Sequence, residues 1–185
     1  MFLWMLAEAQ PRSDAPPFAA VYEGELGYVC NSLRRLGIPP KDLDDVAQDV
    51  FVTAFKRFGT YDAARPLRPW LFGIAFRTAS AFRQRGSSRL EVGGEHLPEA
   101  VSEARGPDEA VAARQARDEV LRALETLDLD RKAVFVMHEI DGHTIPEVAD
   151  ALEIPLNTAY TRLRAARQLF VAEFRRLRGE GEAHA

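Results

Sequence analysis

The sequence has a single cysteine, Cys30, among its 185 residues. One cysteine excludes an intramolecular disulfide and leaves no cysteine cluster for zinc, which fits a reducing compartment. The longest opening apolar run, MFLWML, is too short for a membrane span and lacks the basic flank of a signal peptide. We therefore expect a cytoplasmic protein with no membrane insertion.

The sequence also lacks strand-like alternation and a net positive charge. Apolar residues recur every three or four positions, which predicts an all-α fold. A hydrophobic content of 46% is ordinary for a globular chain that buries a core. The net charge of -4 argues against indiscriminate binding to nucleic acid, because such binding depends on cations presented together. Any contact with DNA must be local.

A helix-turn-helix pattern occupies the stretch Thr144 to Gln168. Thr144 and Glu147 have the spacing of a capping box, in which each side chain satisfies a backbone donor of the helix start. A proline then blocks that first helix, and Asn157 or Thr158 offers an N-cap for a second one. Two short helices around a tight turn are typical of DNA-reading modules.

The second helix of this pattern concentrates basic charge. Six arginines and one acid lie between Leu156 and Arg178. Its non-apolar faces carry groups suited to phosphates and base edges: Tyr160, Thr161, Arg162, Arg164 and Arg167. The alternative is an amphipathic hairpin with a solvated basic face, and the local excess of arginine favours the DNA reader.

The first half of the chain predicts three helices, at 18–36, 40–58 and 68–85. Four aspartates and no base lie between Asp42 and Asp49. Within the second helix, Asp45, Gln48 and Asp49 fall on the side opposite the apolar stripe. Acids near a helix N-terminus are favoured by the helix dipole alone, so the sequence leaves open whether this face binds a partner.

The third helix combines arginine with aromatic residues. Six arginines and no acid occur from Arg65 to Arg89, interleaved with Trp70, Phe72, Phe76 and Phe82. Flat rings beside cations suit unpaired bases, because stacking of one base on a ring is worth about 1–3 kcal/mol. The alternative assigns each phenylalanine to the core.

Between the two halves, residues 86–113 have a linker composition, with clustered glycine and six acids against two arginines. Fully extended, such a tether spans about 90 Å, at about 3.3 Å per residue. The sequence therefore predicts two small helical domains that can reach separate sites.

Three motifs, taken in order, resemble one protein family: DLDDVAQDVFVTAF, PWLFGIAFR and LDLDRKAVFVMHEIDGHTIPEVADALEIPLNTAYTRLRAAR. From Phe18 to Phe174 the chain is similar to bacterial RNA polymerase sigma factors of the sigma-70 family, extracytoplasmic-function group. The resemblance implies two helical domains, called sigma-two and sigma-four, joined by a flexible linker. The implied division is an N-terminal extension at 1–17, sigma-two at 18–85, a linker at 86–113, sigma-four at 114–178 and a tail at 179–185.

The same resemblance implies a role for each surface. Asp45, Gln48 and Asp49 would dock on core RNA polymerase. Recognition and melting of the minus-ten promoter element would fall to Lys56, Tyr61, Arg65, Arg68, Trp70, Arg77, Arg83 and Arg85. Reading of the minus-35 element would fall to Asn157, Thr158, Tyr160, Thr161, Arg162, Arg164 and Arg167.

The implied partners are core RNA polymerase and promoter DNA, with no cofactor, metal or catalytic residue, and the sequence leaves open an anti-sigma factor. Glu153, Ala165 and Arg77 depart from residues common in the family, so no particular promoter sequence carries over. A zinc-protease reading of the segment His138 to His143 fails, because its histidines are five apart and a glycine interrupts the helix. A stand-alone helix-turn-helix repressor would explain the second half and not the first.

Overall fold

The computed structural model describes residues 16–90 and 108–179. Within these ranges the chain forms seven α-helices and no strand, which confirms the all-α prediction. The helices are α1 (Phe18–Arg35), α2 (Leu43–Arg57), α3 (Leu67–Leu90), α4 (Asp108–Glu125), α5 (Leu129–Phe135), α6 (Ile145–Leu152) and α7 (Leu156–Leu177). Short 3₁₀ turns lie at Pro40–Asp42 and Phe58–Thr60, and a π-helical turn at Val136–Ile140 follows α5.

The first domain is a bundle of α1, α2 and α3. Its core is aromatic at one end, where the Phe18 ring meets Phe55 and Phe58 edge to face, with centroids 5.3 and 5.2 Å apart. The apolar stripe predicted on α2 is buried at Val46 and Val50, and the polar side faces solvent. The spacing of apolar residues therefore correctly predicted which side of α2 packs against the core.

The second domain comprises α4 to α7, and α6 and α7 form the predicted helix-turn-helix. The capping box of Thr144 and Glu147 is present, with the Glu147 carboxylate accepting the Thr144 backbone N–H at 2.8 Å. The predicted N-cap of the second helix was wrong: α7 begins at Leu156 with Pro155 as its N-cap. Proline fits there because its fixed φ suits a helix entry and its carbonyl starts the hydrogen-bonded turn.

The two domains pack against each other in this structure. Helix α3 of the first domain lies on α6 of the second, and the buried residues of both domains form one contiguous cluster. The two helices come close together at Gly73 of α3, where a Cβ would lie 2.3 Å from the Ala151 carbonyl oxygen. The periodicity of apolar residues did not predict this contact between α3 and α6.

The predicted linker falls mostly outside the described residues, as do most of the N-terminal extension and the tail. Helix α3 continues to Leu90 and α4 starts at Asp108, so helix enters both ends of the segment 86–113. Over residues 16–90 and 108–179, no helix is long and apolar enough to cross a membrane.

Candidate nucleic-acid interface

The acidic surface of α2, which we call the docking face, consists of Asp45, Gln48 and Asp49. All three residues are exposed, on the side of the helix opposite the core. The Asp49 carboxylate lies 4.0 Å from the Arg85 guanidinium of α3, and both side chains are more than half exposed. An exposed pair of this kind contributes about 0–1 kcal/mol, so the docking face remains available to a partner.

A groove of about 400 Å³ lies next to the docking face, between α2 and α3. Its lining includes the cations Lys56, Arg57 and Arg77 together with Asp49. Burial lowers the pKa of the Arg77 guanidinium, with a further lowering from Arg57. The three cations that line this groove can bind an anionic group such as a phosphate.

Several arginines that the sequence presents as free cations are paired. Arg68 donates from Nε to Glu25 at 2.9 Å, and its guanidinium lies 5.0 Å from the centre of the Tyr28 ring. Arg65 pairs with Asp150 of the second domain, and Arg77 with Glu153 at 3.1 Å. Arg83 lies at the same domain boundary: a Cβ on Gly37 would be 2.9 Å from its Nη2 atom and 3.4 Å from the Lys132 amine.

The aromatic residues of the predicted minus-ten region form a cluster. Tyr61 is 8% exposed and stacks on Phe58, with centroids 5.8 Å apart, while Trp70 lies 5.0 Å from the Tyr61 ring. The Tyr61 hydroxyl donates to the Arg65 backbone carbonyl at 2.5 Å, and burial raises its pKa. Tyr61 therefore shapes the loop before α3. Phe72 is fully buried.

Some of the predicted DNA-contacting side chains of α7 are exposed, and others are held in ion pairs. Exposed positions are Asn157, Tyr160, Thr161 and Arg164, while Thr158 is half-buried. Arg162 is held: its guanidinium donates to Asp130 of α5 at 2.5 Å, and its side chain is 26% exposed. Arg167 donates from Nε to Glu139 at 2.7 Å.

The sequence analysis assigned no arginine partner to four acids that pair within the site: Asp130, Glu139, Asp150 and Glu153. Asp130 and Glu139 orient the arginines of α7, and Asp150 and Glu153 contact those of the first domain. The pairs are 28 to 85 residues apart in the chain, so no local spacing links their members.

The segment His138 to His143 is not arranged as a metal site. The π-helical turn ends at Ile140, and His138 Nδ1 lies 2.8 Å from the His143 carbonyl oxygen. Among the residues that the structure describes, no group of histidine, cysteine, aspartate and glutamate could hold a metal ion.

Comparisons with known proteins agree with the two-domain organisation. Residues 21–88 match the family described as sigma-70 region 2, and residues 117–170 match sigma-70, region 4. The sequence is 32% identical over 146 residues to the RNA polymerase sigma factor CnrH of Cupriavidus metallidurans, covering 75% of this chain and 76% of CnrH. It is 26% identical over 139 residues to the ECF RNA polymerase sigma-E factor of Escherichia coli, covering 71% and 73% of the two chains.

Solved structures resemble the fold as well. The structure of CnrH in complex with the cytosolic domain of CnrY matches with a TM-score of 0.57 at 29% identity, covering 84% of this chain and 86% of that one. The sigma factor RpoE of Bartonella quintana, in complex with the anti-sigma factor NepR, matches with a TM-score of 0.68 at 18% identity, covering 85% and 96%. The latter likeness concerns the fold alone.

Proposed function

The chain belongs to the sigma-70 family of RNA polymerase sigma factors, in the extracytoplasmic-function group, and we propose how its surfaces divide the work of promoter recognition. As a sigma factor, it directs core RNA polymerase to promoters. The observation that carries the residue-level proposal is the separation of charge: an exposed acidic face on α2 and exposed basic side chains on α7. We place its action in the cytoplasm, as an initiation factor without catalytic chemistry of its own.

The docking face is the surface that binds core polymerase. Its three side chains are exposed and lie opposite the core, so a partner can reach them without unfolding the bundle. Asp45 lies in the first turn of α2, where the helix dipole also favours an acid, whereas Asp49 lies beyond that turn and is not explained by the dipole. A basic surface on the polymerase would complement them and speed association.

The minus-ten element binds the cation-lined groove and the adjoining start of α3. Lys56 and Arg77 would contact the strand there, and Arg65, Arg68, Arg83 and Arg85 lie along the same helix or its leading loop. Tyr61 acts as a positioning residue, because its hydroxyl fixes the Arg65 carbonyl at the mouth of the loop. Trp70 supports the loop through its ring contact with Tyr61. Its half-buried ring also provides the surface on which an unpaired base would stack.

The minus-35 element meets the exposed start of α7. Tyr160 and Arg164 are exposed side chains that can reach base edges, and Thr161 is exposed as well, although its hydroxyl donates to the Asn157 carbonyl at 2.8 Å. Asn157 and Thr158 lie at the entry of the helix, suited to phosphates. Arg162 and Arg167 reach DNA only if they leave Asp130 and Glu139. A good bidentate arginine–guanine contact discriminates by about 1–3 kcal/mol, which makes Arg164 the main candidate for sequence reading.

A protein that covers these surfaces would hold the sigma factor inactive. CnrH is bound by the cytosolic domain of CnrY, and the more distant RpoE by the anti-sigma factor NepR. We propose that an anti-sigma factor likewise binds this chain.

The decisive experiment is run-off transcription with purified core polymerase on a promoter that the protein occupies in cells. Promoter-specific transcript is expected, and its absence would contradict the assignment. In a pull-down, Asp45→Lys with Asp49→Lys should weaken polymerase association by tenfold or more, because two complementary charges become repulsive. The matched control is Glu23→Lys with Asp118→Lys, which makes the same charge change at exposed residues of α1 and α4. Equal loss in both variants would remove the docking face from the proposal.

A further inference from the structure

We propose that His138 is a positioning residue for Arg167, and that protonation of His138 makes this arginine available to the minus-35 duplex. The two side chains meet at one carboxylate oxygen, Glu139 Oε1, on the π-helical turn before the helix-turn-helix. The inference rests on the minus-35 role proposed above for Arg167. It adds the group that controls when this contact is made.

The π-helical turn holds the His138 ring in one orientation. The Asp141 backbone N–H donates to the Val136 carbonyl at 2.9 Å, five residues back, and the His143 N–H donates to the Met137 carbonyl at 3.0 Å. The returning chain brings the His143 carbonyl oxygen to 2.8 Å from His138 Nδ1. Turns of this kind are rare and occur frequently at functional sites. The backbone therefore determines which ring nitrogen is left for other partners.

The contact with the His143 carbonyl determines what the second ring nitrogen can do. A carbonyl oxygen only accepts, so Nδ1 carries the hydrogen of the neutral imidazole and Nε2 carries a lone pair. His138 Nε2 lies 3.9 Å from Glu139 Oε1. In the neutral ring this lone pair faces a carboxylate oxygen, and no hydrogen bond can form. Protonation puts a hydrogen and a positive charge on the ring, which turns the contact into an ion pair.

Arg167 uses the same carboxylate oxygen. Its Nε and Nη2 atoms lie 2.7 and 2.6 Å from Glu139 Oε1, and its side chain is 52% exposed. One carboxylate balances one cation, so a protonated His138 weakens the hold of Glu139 on Arg167, and a phosphate then gains the guanidinium more readily. Once Arg167 has left, Glu139 is free for His138, so the DNA-bound state binds the proton more tightly. By linkage, DNA binding through Arg167 should therefore strengthen as the pH falls.

Charged groups on the elements around the turn are engaged elsewhere. Cap bonds from Thr144 lower the pKa of the Glu147 carboxyl of α6, with a further lowering from His143, so the His143 ring lies on the α6 side. Lys132 of α5 is buried at the boundary with the first domain. These groups leave the shared oxygen to its two cations. Further charges on α5, on α7 and after the turn are paired: Arg131 with Asp128, Arg162 with Asp130, and Arg35 with Asp141.

The test measures binding of the full-length protein to a labelled duplex that spans the minus-35 element of the promoter used in run-off transcription. Fluorescence anisotropy at several salt concentrations gives the affinity and the salt slope at pH 8 and at pH 6, a range over which histidine gains charge. The affinity should be about two- to fivefold higher at pH 6, the effect of one exposed ion pair. The slope of log K against log salt concentration should become steeper by about 0.9, the contribution of one phosphate contact.

Two variants identify the titrating contact. His138→Asn keeps an N–H for the His143 carbonyl and takes up no proton, so its binding should stay at the pH 8 level of the native protein. Glu139→Gln removes the charge that holds Arg167, so its binding should reach the native pH 6 level at both pH values. The matched control is His184→Asn, which removes another imidazole and should keep the full pH effect. A pH effect that survives in His138→Asn, or that disappears in the control, overturns the proposal.

A readout without DNA separates this proposal from the minus-35 role on which it rests. In carbon-detected NMR spectra, the Nε–Cζ correlation of Arg167 is identified by its absence in Arg167→Lys. It should shift between pH 8 and pH 6 in the native protein and stay fixed in His138→Asn. No shift overturns the coupling between His138 and Arg167. A shift without any change in DNA binding supports the coupling and contradicts the minus-35 role of Arg167.

Discussion

Gly73→Ala tests the contact between the two domains without changing the net charge of the protein. Gly73 lies on α3, and a Cβ at this position would be 2.3 Å from the Ala151 carbonyl oxygen and 3.3 Å from its carbon. Both atoms belong to the backbone of α6, so no side chain can rotate away. The two helices must move apart by about 1 Å to restore ordinary van der Waals contact near 3.4 Å.

The same substitution should strengthen the first domain. Alanine is better than glycine inside a helix by about 0.8–1.0 kcal/mol, and within the first domain the nearest contact of the new methyl is the flexible Arg77 guanidinium, at 3.3 Å. We therefore expect opposite effects: α3 gains stability while the contact between α3 and α6 is lost. Because Arg77 bridges that contact through Glu153, separation should also free its guanidinium.

Hydrogen exchange and small-angle scattering would show both effects. Amides of α6 that pack on α3 should exchange faster, and the radius of gyration should rise. The control is Gly27→Ala on α1, because a Cβ there meets nothing within 4 Å and the gain in helix propensity is the same. If Gly73→Ala keeps the exchange rates and radius of the control, the packing of α3 on α6 is not a fixed contact in solution.

Two further predictions concern buried or held cations. Burial lowers the pKa of the Lys132 amine from 10.5 to about 8, with a further lowering from Arg83 of the first domain. Separating the domains removes the contribution of Arg83 and raises this pKa, so raising the pH from 7 to 9 should favour the closed form, by at most about tenfold. Scattering measured across that range would test this, and Lys132→Met should remove the dependence. Asp130→Ala should release Arg162 for a contact with a phosphate. The slope of log K against log salt concentration, for binding to a minus-35 duplex, should then become steeper by the amount that one phosphate contact contributes. An unchanged salt slope would contradict the view that Asp130 withholds this arginine.

The sequence predicted best what short-range spacing controls. The bounds of α1 and α2, the buried side of α2 and the capping box of Thr144 follow from helical periodicity and end signals, which involve residues three or four apart. The start of α7 was misjudged by two to three residues, because a proline can serve as the N-cap residue without a side-chain bond. These signals involve residues close together in the chain, and the helices of the structure agree with them.

The candidate site was predicted less well, because its geometry depends on residues far apart in the chain. Arginines were visible as a basic surface, but their partners were not: Arg65 finds Asp150 at a separation of 85 residues, and Arg162 finds Asp130 at 32. The family resemblance implied that Tyr61 contacts DNA, whereas in the structure its ring is buried and lies against Phe58 and Trp70. Only tertiary packing distinguishes a free cation or ring from a held one.

The acidic charge of the chain takes on a more specific meaning from these contacts. A net charge of -4 opposes DNA binding in general, yet a uniform excess would be screened beyond about 8–10 Å at physiological salt. Direct pairing is not limited in that way, since Asp150 and Glu153 contact the arginines themselves. At physiological salt, these two acids therefore act on Arg65 and Arg77 more strongly than the distributed excess of negative charge does.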